Sequence, residues 1–548
     1  MSSIFDAAFS VISFGLDLIW YFCILFLVLG IAILGARAWR RLMRKRIHYE
    51  VRTRDTTKGH RWSMSDELPD QTFCAVSGQS LDHGAVCDFC TTVVEDYLMK
   101  EADNKLACKP ITTRASYTSH HWIRGYVYSN SPCSLCNRIC GVSAKDVRCC
   151  WCDRCVHEGC IKQMVKECDF GTFALSIVPP HCVGVSLVGI RGRRHLIVSS
   201  VRRPILPNMS EWRPLIVCAN RKAGNEDGER VLKAFRGILH PAQVVDLAEI
   251  EPENALEWCH LLPGVSWRVL VAGGDGSIGW VLRAIDNVTD KQELSKPEVG
   301  ILPLGTGNDL SRVLGWGEGQ QGDIDAHSIL EELDNAKPVR LDRWKVDIYP
   351  FQKLFRKQNR VMNNYISVGV DAQVAFNFHK HRNSQPALFG SRLINKMWYF
   401  TYGTKAVLER ECQNLHKKLK VYLDEKEVEL PEVEGVVILN IASWGAGCKP
   451  WQMGSDDQQN FQEARHDDGL LEVLALYSSF HIAQLKVGLA SPCRLGQARK
   501  VRLELSTNAP MQVDGEPWQQ SPATINISFH NFATVLARKD AYCIKNTY

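Results

Sequence analysis

"WRVLVAGGDGSIGWVLRAI", Trp267 to Ile285, holds the decisive turn of this chain. An apolar run of strand length ends in paired glycines, an aspartate follows, and Ile278, Val281, Leu282 and Ile285 then recur on one helical face. Strand, glycine turn and helix in that order describe a phosphate-binding element, because backbone N–H groups at such a turn attract anions. The formal G-x-G-x-x-G within Gly273–Gly279 would by itself suggest a dinucleotide fingerprint, a weak signal. Asp275 argues otherwise. A carboxylate inside the turn would repel a pyrophosphate unless Mg²⁺ lies between them or the acid serves an incoming hydroxyl.

Two further turns share the texture. "PLIVCANRKAG" ends a strand-like run at Cys218–Gly224, and "VGILPLGTGNDL" ends another at Leu302–Leu310 with a second acid, Asp309. Helical patterns follow each, including Val231, Leu232, Phe235, Ile238 and Leu239. Apolar strands alternating with helices predict a parallel sheet covered on both faces, a Rossmann-like α/β lobe with a nucleotide site at the strand ends. Neither G-x-x-x-x-G-K-[ST] nor H-R-D-x-x-x-x-N occurs, which excludes a P-loop enzyme and a protein kinase. Beyond about residue 346, "KLKVYLDEKEVEL", "GVVILNIA", "LLEVLALYS", "KVRLELS" and "TINISFH" predict a β-sandwich-like second lobe. A helical insert is expected near Leu388–Leu408.

Composition bounds the rest. At 548 residues the chain has room for several domains, and its net charge of +5 does not argue for nucleic acid. Leu18 to Ala36 runs nineteen residues without a charge, and six basic residues follow between Arg37 and Arg46. That pattern predicts a spanning or re-entrant anchor with the remaining chain in the cytosol, and a basic run drawn to anionic headgroups.

Of 21 cysteines, 13 fall between Cys74 and Cys168. His120, Cys133, Cys136, Cys149, Cys152, His157, Cys160 and Cys168 follow H-x12-C-x2-C-x12-C-x2-C-x4-H-x2-C-x7-C, which resembles the C1 zinc module at all eight ligand positions. The resemblance implies interleaved ligands: His120, Cys149, Cys152 and Cys168 for one zinc, and Cys133, Cys136, His157 and Cys160 for the other. Aligned the same way, an upstream box keeps His60, Cys87, Cys90 and Cys108. Its second set reads Cys74, Ser77, Glu95 and Leu98. One zinc is expected there, with packing around Leu98 closing the other end, so about three zinc ions per chain. Cys140, Cys150 and Cys155 are read as free thiols. A C1 fold does not guarantee lipid capture.

GGDGS, LPLGTGNDL, "LDRWKV", "MNNYISVGVDA", "RHDDGLLEV" and "MQVDGEPW" together resemble the diacylglycerol kinase family, and with two C1 modules and an N-terminal hydrophobic run, its epsilon type. Ser277 stands where that family usually has Thr. The resemblance implies ATP-dependent, magnesium-assisted phosphorylation of 1,2-diacylglycerol to phosphatidic acid at the endoplasmic reticulum or plasma membrane, with a bias toward arachidonoyl-type chains. It implies Asn220, Gly224, Gly273, Gly274, Gly276, Ser277, Gly305, Thr306, Gly307 and Asn308 around the nucleotide, and Asp275, Glu516 and Asp309 as catalytic acids. Asp275 and Glu516 share the Mg²⁺-facing and general-base roles in an order left open, and Asp467 and Asp468 would organise magnesium and water. The alternatives are an inactive diacylglycerol-sensing adaptor and a kinase for another lipid acceptor. The organisation expected is a short segment 1–17, anchor 18–36, basic segment 37–59, C1 modules 60–108 and 120–168, linker 169–210, catalytic lobe 211–345, accessory lobe 346–535 and tail 536–548.

Overall fold

The computed structural model describes residues 59–539, except 129, 142, 189–194, 206–210, 225–226, 290–294, 321, 353–355, 385–411 and 454–460, and also describes 24, 25, 27–32 and 35. These last nine residues are helical, and Ile24, Leu25, Leu27, Val28, Leu29 and Ile31 are exposed. Among the described residues no helix is long and apolar enough to cross a membrane. The rest of the expected anchor, the basic segment after it and the helical insert near 388–408 lie outside the described residues.

The catalytic lobe forms as its apolar runs predict. Strands β1 (Leu215–Ala219), β2 (Val244–Asp246), β3 (Arg268–Gly273) and β4 (Glu298–Pro303) pair in parallel in the order β2-β1-β3-β4. Nearly every residue of them is buried, as befits strands covered on two faces. Helix α1 (Asp227–Ile238) buries Val231, Leu232, Phe235 and Ile238, and α2 (Asp275–Thr289) buries Ile278, Val281, Leu282 and Ile285. Two further helices, α3 (Asp309–Val313) and α4 (Ala326–Asn335), follow β4.

The boundary expected at 345/346 cuts a single strand, β5 (Lys337–Pro350). It pairs along its whole length, antiparallel, with the final strand β16 (Ala523–Ala537), which reaches β4 at its far end. The register shifts between Arg343 and Trp344, and this bulge is where the strand passes from one lobe to the other. Before it Leu341 packs in the catalytic core; after it Trp344, Val346 and Ile348 pack in the accessory core. One ten-stranded sheet therefore runs through both lobes.

The accessory lobe adds a six-stranded antiparallel sheet, built from β7 (Tyr365–Gly369), β10 (Gly435–Leu439), β11 (Leu471–Leu476), β12 (Cys493–Ala498), β14 (Ala509–Val513) and β15 (Glu516–Gln520). The other sheet gains β6 (Gln358–Met362), β8 (Leu419–Leu423), β9 (Lys426–Val428) and β13 (Lys500–Leu505). Val421, Val501 and Ile525 of one sheet meet Ile366, Val436 and Val473 of the other in a shared core, which makes a sandwich. Helices α5 (Val370–Ser384) and α6 (Ser479–Lys486) flank it.

In the segment expected as a linker, 169–210, the described residues 169–188 and 195–205 pack on the catalytic lobe. Val183–Val188 and His195–Val201 form an antiparallel hairpin, and Val178, Val183, Val198 and Val201 pack in the catalytic core. The runs "VGVSLV" and "HLIVSSV" are short, and the intervening "RGRR" hid their pairing from a composition-based reading. The zinc modules are equally integral. Cys87, Cys90 and Cys108 of the first, Cys149, Trp151 and Cys168 of the second, and Leu232, Phe235 and Leu239 of the catalytic lobe belong to one apolar cluster.

Candidate active site and metal centres

The three glycine turns converge at the C-terminal edge of the parallel strands. Two of them touch through backbone: a Cβ on Gly305 would lie 2.6 Å from the Gly274 Cα. Only glycine lets the turns after β3 and β4 approach so closely. Gly273 is likewise filled against Ser277, whose Cβ would be 2.6 Å from an added methyl. In the third turn Asn220 accepts from the Lys222 amide at 3.0 Å, and Gly224 has φ +67°.

Asp275 opens α2, yet its carboxylate serves another helix. It accepts from the Asp309 amide (3.1 Å) and the Leu310 amide (3.3 Å), capping the N-terminus of α3. Those amides are therefore committed to a side chain. Burial is the main cause of the rise in the Asp275 pKa to about 6, with the Asp309 charge adding to it. At neutral pH it is ionised.

Asn308, expected at the nucleotide, is buried in the left-handed conformation (φ 52°) and spends its side chain on the turn. Its Oδ1 accepts from Gly305 N (3.1 Å), while Nδ2 donates to the carbonyls of Gly305 and Glu318, both at 2.8 Å. Asp309 is turned toward the accessory lobe. It accepts from Ser443 Oγ (2.6 Å), Gly447 N (3.0 Å) and Ala446 N (3.1 Å). It is a buried latch between lobes, and Gly307 lies between it and Asp275: a Cβ there would be 3.4 Å from one Oδ2 and 3.6 Å from the other.

Glu516 completes the set from the far end of the chain. Asp514 and Gly515 both have positive φ (49° and 83°), the mark of a two-residue hairpin turn, and they join β14 to β15. The buried side of this turn is fixed by Asp514, which accepts from the amides of Asn363 (2.8 Å), Asn364 (2.7 Å) and Tyr365 (3.0 Å). Glu516 is thereby held over the first lobe; its Oε1 would be 3.7 Å from a Cβ on Gly276, and the residue is exposed. Arg360, stacked 4.1 Å over the Trp518 ring, is a cationic neighbour of this carboxylate.

Asp467 and Asp468 stand apart. Asp467 pairs with Arg465 at 2.9 Å, and Asp468 accepts from Leu470 N at 2.9 Å. Asp342 accepts from the adjacent Gly469 amide (2.7 Å), and Asn440 links this corner to the site by donating to the carbonyls of Asp342 (2.7 Å) and Asn363 (2.5 Å). Among the described residues, Asp275, Asp467 and Asp468 do not converge as ligands of one ion. A magnesium ion held with nucleotide needs few protein ligands, and Asp275, the ionised carboxylate at the turn, suits that role. Sequence reading missed Asn363, Asn440, Asp342 and Asp514; the Asp-Gly dipeptide between alternating strands was the available signal for the last.

The structure assembles each zinc set the spacing implied. His60, Cys87, Cys90 and Cys108; His120, Cys149, Cys152 and Cys168; and Cys133, Cys136, His157 and Cys160 each bring their ligand atoms within 4.8 Å of one another. Three thiols with one imidazole fit tetrahedral zinc. In each set Nδ1 faces sulfur, at 3.3 Å for His60–Cys90 and 3.4 Å for both His120–Cys152 and His157–Cys136. Nε2 of His60 and of His157 is turned to a carbonyl, Leu106 O at 3.3 Å and Ile139 O at 3.1 Å, which orients the ring for metal. At the remaining position Ser77 Oγ donates to Glu95 at 2.7 Å, and Cys74 packs with Leu98. A hydrogen bond and apolar packing close that end.

Residues 214–342 match the description "Diacylglycerol kinase catalytic domain", 361–517 "Diacylglycerol kinase accessory domain", and 120–171 "Phorbol esters/diacylglycerol binding domain (C1 domain)". Among relatives, "Probable diacylglycerol kinase 3" of Caenorhabditis elegans is 32% identical over 83% of this chain and 60% of its own length. "Diacylglycerol kinase theta" of Mus musculus is 40% identical over 58% of this chain and 34% of its own. "Diacylglycerol kinase 1" of Arabidopsis thaliana is 37% identical over 63% of this chain and 47% of its own. The chain thus spans less than two thirds of each of these relatives. The matches cover both lobes, the turns that meet at Gly274 and Gly305, and the second zinc module: this chain carries the catalytic and accessory domains of the diacylglycerol kinase family.

Proposed function

We propose that the chain transfers the γ-phosphoryl group of ATP to the primary hydroxyl of 1,2-diacylglycerol, yielding phosphatidic acid and ADP. The observation that carries this reading is the pairing of an exposed Glu516 beside Gly276 with a half-buried Asp275 adjacent to that glycine in the same turn. The acceptor hydroxyl gives its proton to Glu516 while its oxygen bonds to phosphorus and the bond to the ADP oxygen breaks. Exposure suits Glu516 to meet an acceptor arriving from outside, whereas Asp275, half-buried and held by the Asp309 and Leu310 amides, suits the cation side. Magnesium, when bound, would neutralise charge on the transferring phosphoryl oxygens. The glycines at 273, 274, 276, 305 and 307, with Ser277 and Thr306, line the nucleotide side, and Asp309 holds the accessory lobe against it.

Three complete ligand sets support a count of three structural zinc ions per chain. The apolar run 18–36 and the basic run after it support attachment to a cytosolic membrane face, at the endoplasmic reticulum or plasma membrane, and with two C1-like boxes they support the epsilon type. A preference for arachidonoyl-type chains is the finer part of the same reading.

Labelled phosphate transfer to diacylglycerol in mixed micelles tests the proposal. Glu516→Gln is expected to lower kcat by roughly 10²-fold or more with the KM for ATP little changed. Asp275→Asn should lower kcat and raise that KM. Absence of transfer by the wild type would sink the activity, and full activity of Glu516→Gln would remove the base.

A further inference from the structure

We propose that Arg343 is a positioning residue that fixes the reach from Glu516 to the Gly276 turn, acting through Asn363 and Asp514. The inference rests on the lipid-kinase reading, in which that reach separates the base from the reacting atoms.

Along β5, Val339 and Leu341 face the catalytic core, where they pack with Ile278 and Ile285 of α2. Alternation puts Arg343 next on that face, and it is 1% exposed. Its Nη1 pairs with Asp286 of α2, the helix whose first turn carries Asp275 and Gly276. Asn531, opposite Arg343 at the bulge, donates to the same carboxylate at 3.0 Å, and Lys296 does so at 2.9 Å.

The guanidinium also reaches the accessory lobe. Its Nε donates to Asn363 Oδ1 at 2.9 Å, which turns Asn363 Nδ2 toward Asp514 Oδ2 at 3.1 Å. Asp514 opens the turn before Glu516 and anchors it to the amides of 363–365. Asn363 touches α2 as well: a Cβ on Gly279 would lie 3.2 Å from its Nδ2. The contacts form a ring, from Gly276 along α2 to Asp286, across Arg343 to Asn363, and through Asp514 to Glu516. It closes where Glu516 approaches Gly276. Without the guanidinium the Asn363 amide is free to turn, and its Oδ1 would then face the Asp514 carboxylate.

Stability alone does not account for an arginine here. The attraction within a buried ion pair is offset by the desolvation of its charges, and apolar residues of similar volume often serve as well. Nη2 is buried with no acceptor among the described residues. An apolar side chain could fill the space, but it could not orient Asn363.

Phosphate transfer to diacylglycerol micelles by Arg343→Lys tests this, because lysine keeps a charge for Asp286 but lacks the rigid second donor toward Asn363. With zinc content and thermal midpoint near wild type, kcat is expected to fall roughly 10- to 100-fold and the KM for ATP to change little. In the Glu516→Gln background the same substitution should cost nothing further, since both act on one group. An unchanged kcat, or the full loss repeated in that background, overturns the proposal and leaves the arginine a structural role only. Should Arg343→Lys fold poorly, Asn363→Ser cuts the link from the other side with the Arg343–Asp286 pair intact. It should show the same loss and the same non-additivity, and full activity there overturns the proposal. Hydrogen exchange of the full chain needs no turnover: residues 511–520 should exchange faster in Arg343→Lys, and unchanged exchange overturns the positioning role. A wild type that transfers no phosphate overturns the kinase reading instead and leaves the exchange result to decide whether Arg343 sets the turn.

Discussion

Lys109 Nζ donates to the Gly237 carbonyl at 2.8 Å, so a residue adjacent to a zinc ligand caps a helix of the catalytic lobe. The same ammonium reaches Ile238 O (3.1 Å) and Arg236 O (3.4 Å) and lies 4.2 Å over the Trp151 ring of the second zinc module. It is fully buried, its positive charge matched to the C-terminal end of α1. This one side chain thus touches the catalytic lobe and the second zinc module from a position beside a ligand of the first.

Lys109→Met keeps the aliphatic stem and leaves three carbonyls without their donor. Its expected cost is roughly 2–4 kcal/mol, seen as a lower urea midpoint for the whole chain with zinc content unchanged. A wild-type midpoint would show that the contact contributes nothing.

Cys87 is fully buried in the cluster that also holds Leu232 and Phe235, whereas Cys136 is exposed. Each change to Ser should remove one zinc equivalent by elemental analysis. Only Cys87→Ser should also lower the thermal midpoint of the catalytic lobe by several degrees, because its site shares that lobe's core.

At Gly305, substitution by Ala sets a methyl 2.6 Å from the Gly274 backbone. Neither turn has a side chain that can yield. ATP affinity should fall about tenfold or more while the zinc count stays the same, measured by nucleotide titration.

The Asp309 carboxylate accepts three hydrogen bonds from the 443–447 loop. In Asp309→Asn the amide NH₂ would face an N–H donor, a repulsive contact between buried groups. Activity is expected to fall by roughly 10²-fold, with Asp309→Glu restoring little, since the latch has fixed reach. Steady-state kinetics on the purified variants would decide.

His240 uses both ring nitrogens inside the domain junction: Nε2 bonds Ile111 O at 2.7 Å, and Nδ1 accepts from Ala242 N at 3.2 Å. Burial pushes its pKa down to about 4 from 6.5. The unfolded chain therefore binds a proton below pH 6.5 that the folded chain refuses. The stability this histidine contributes is complete above pH 6.5 and is lost as pH falls toward 4, up to roughly 3 kcal/mol. Denaturant titrations between pH 7 and 5 should show the decline, and His240→Leu should flatten it.

Much was legible without coordinates, for identifiable reasons. Zinc ligands declare themselves by spacing, because the metal fixes how far apart four donors on one chain can stand. That argument gave all three assembled sets and the loss of the fourth, with packing around Leu98; the Ser77–Glu95 hydrogen bond is seen only in the structure. The alternation of apolar strands and helices fixed the parallel sheet, and the glycines between them marked the turns. Period and spacing are local properties, and local properties are written along the chain.

What the tertiary structure alone decided concerns pairs distant in sequence. Asp275 caps a helix that begins at Asp309, Glu516 hangs over Gly276, and β16 closes a sheet begun at β1. The 169–210 segment looked like a linker because its partner surface lies elsewhere in the chain, and nothing along the chain marks Lys109 as buried. Whether a carboxylate latches, caps or takes a proton depends on which donors surround it and how much water remains. By itself the sequence determined which residues could do chemistry; only the folded arrangement divided the labour among Asp275, Asp309 and Glu516, because burial and hydrogen bonding are set by neighbours from other elements.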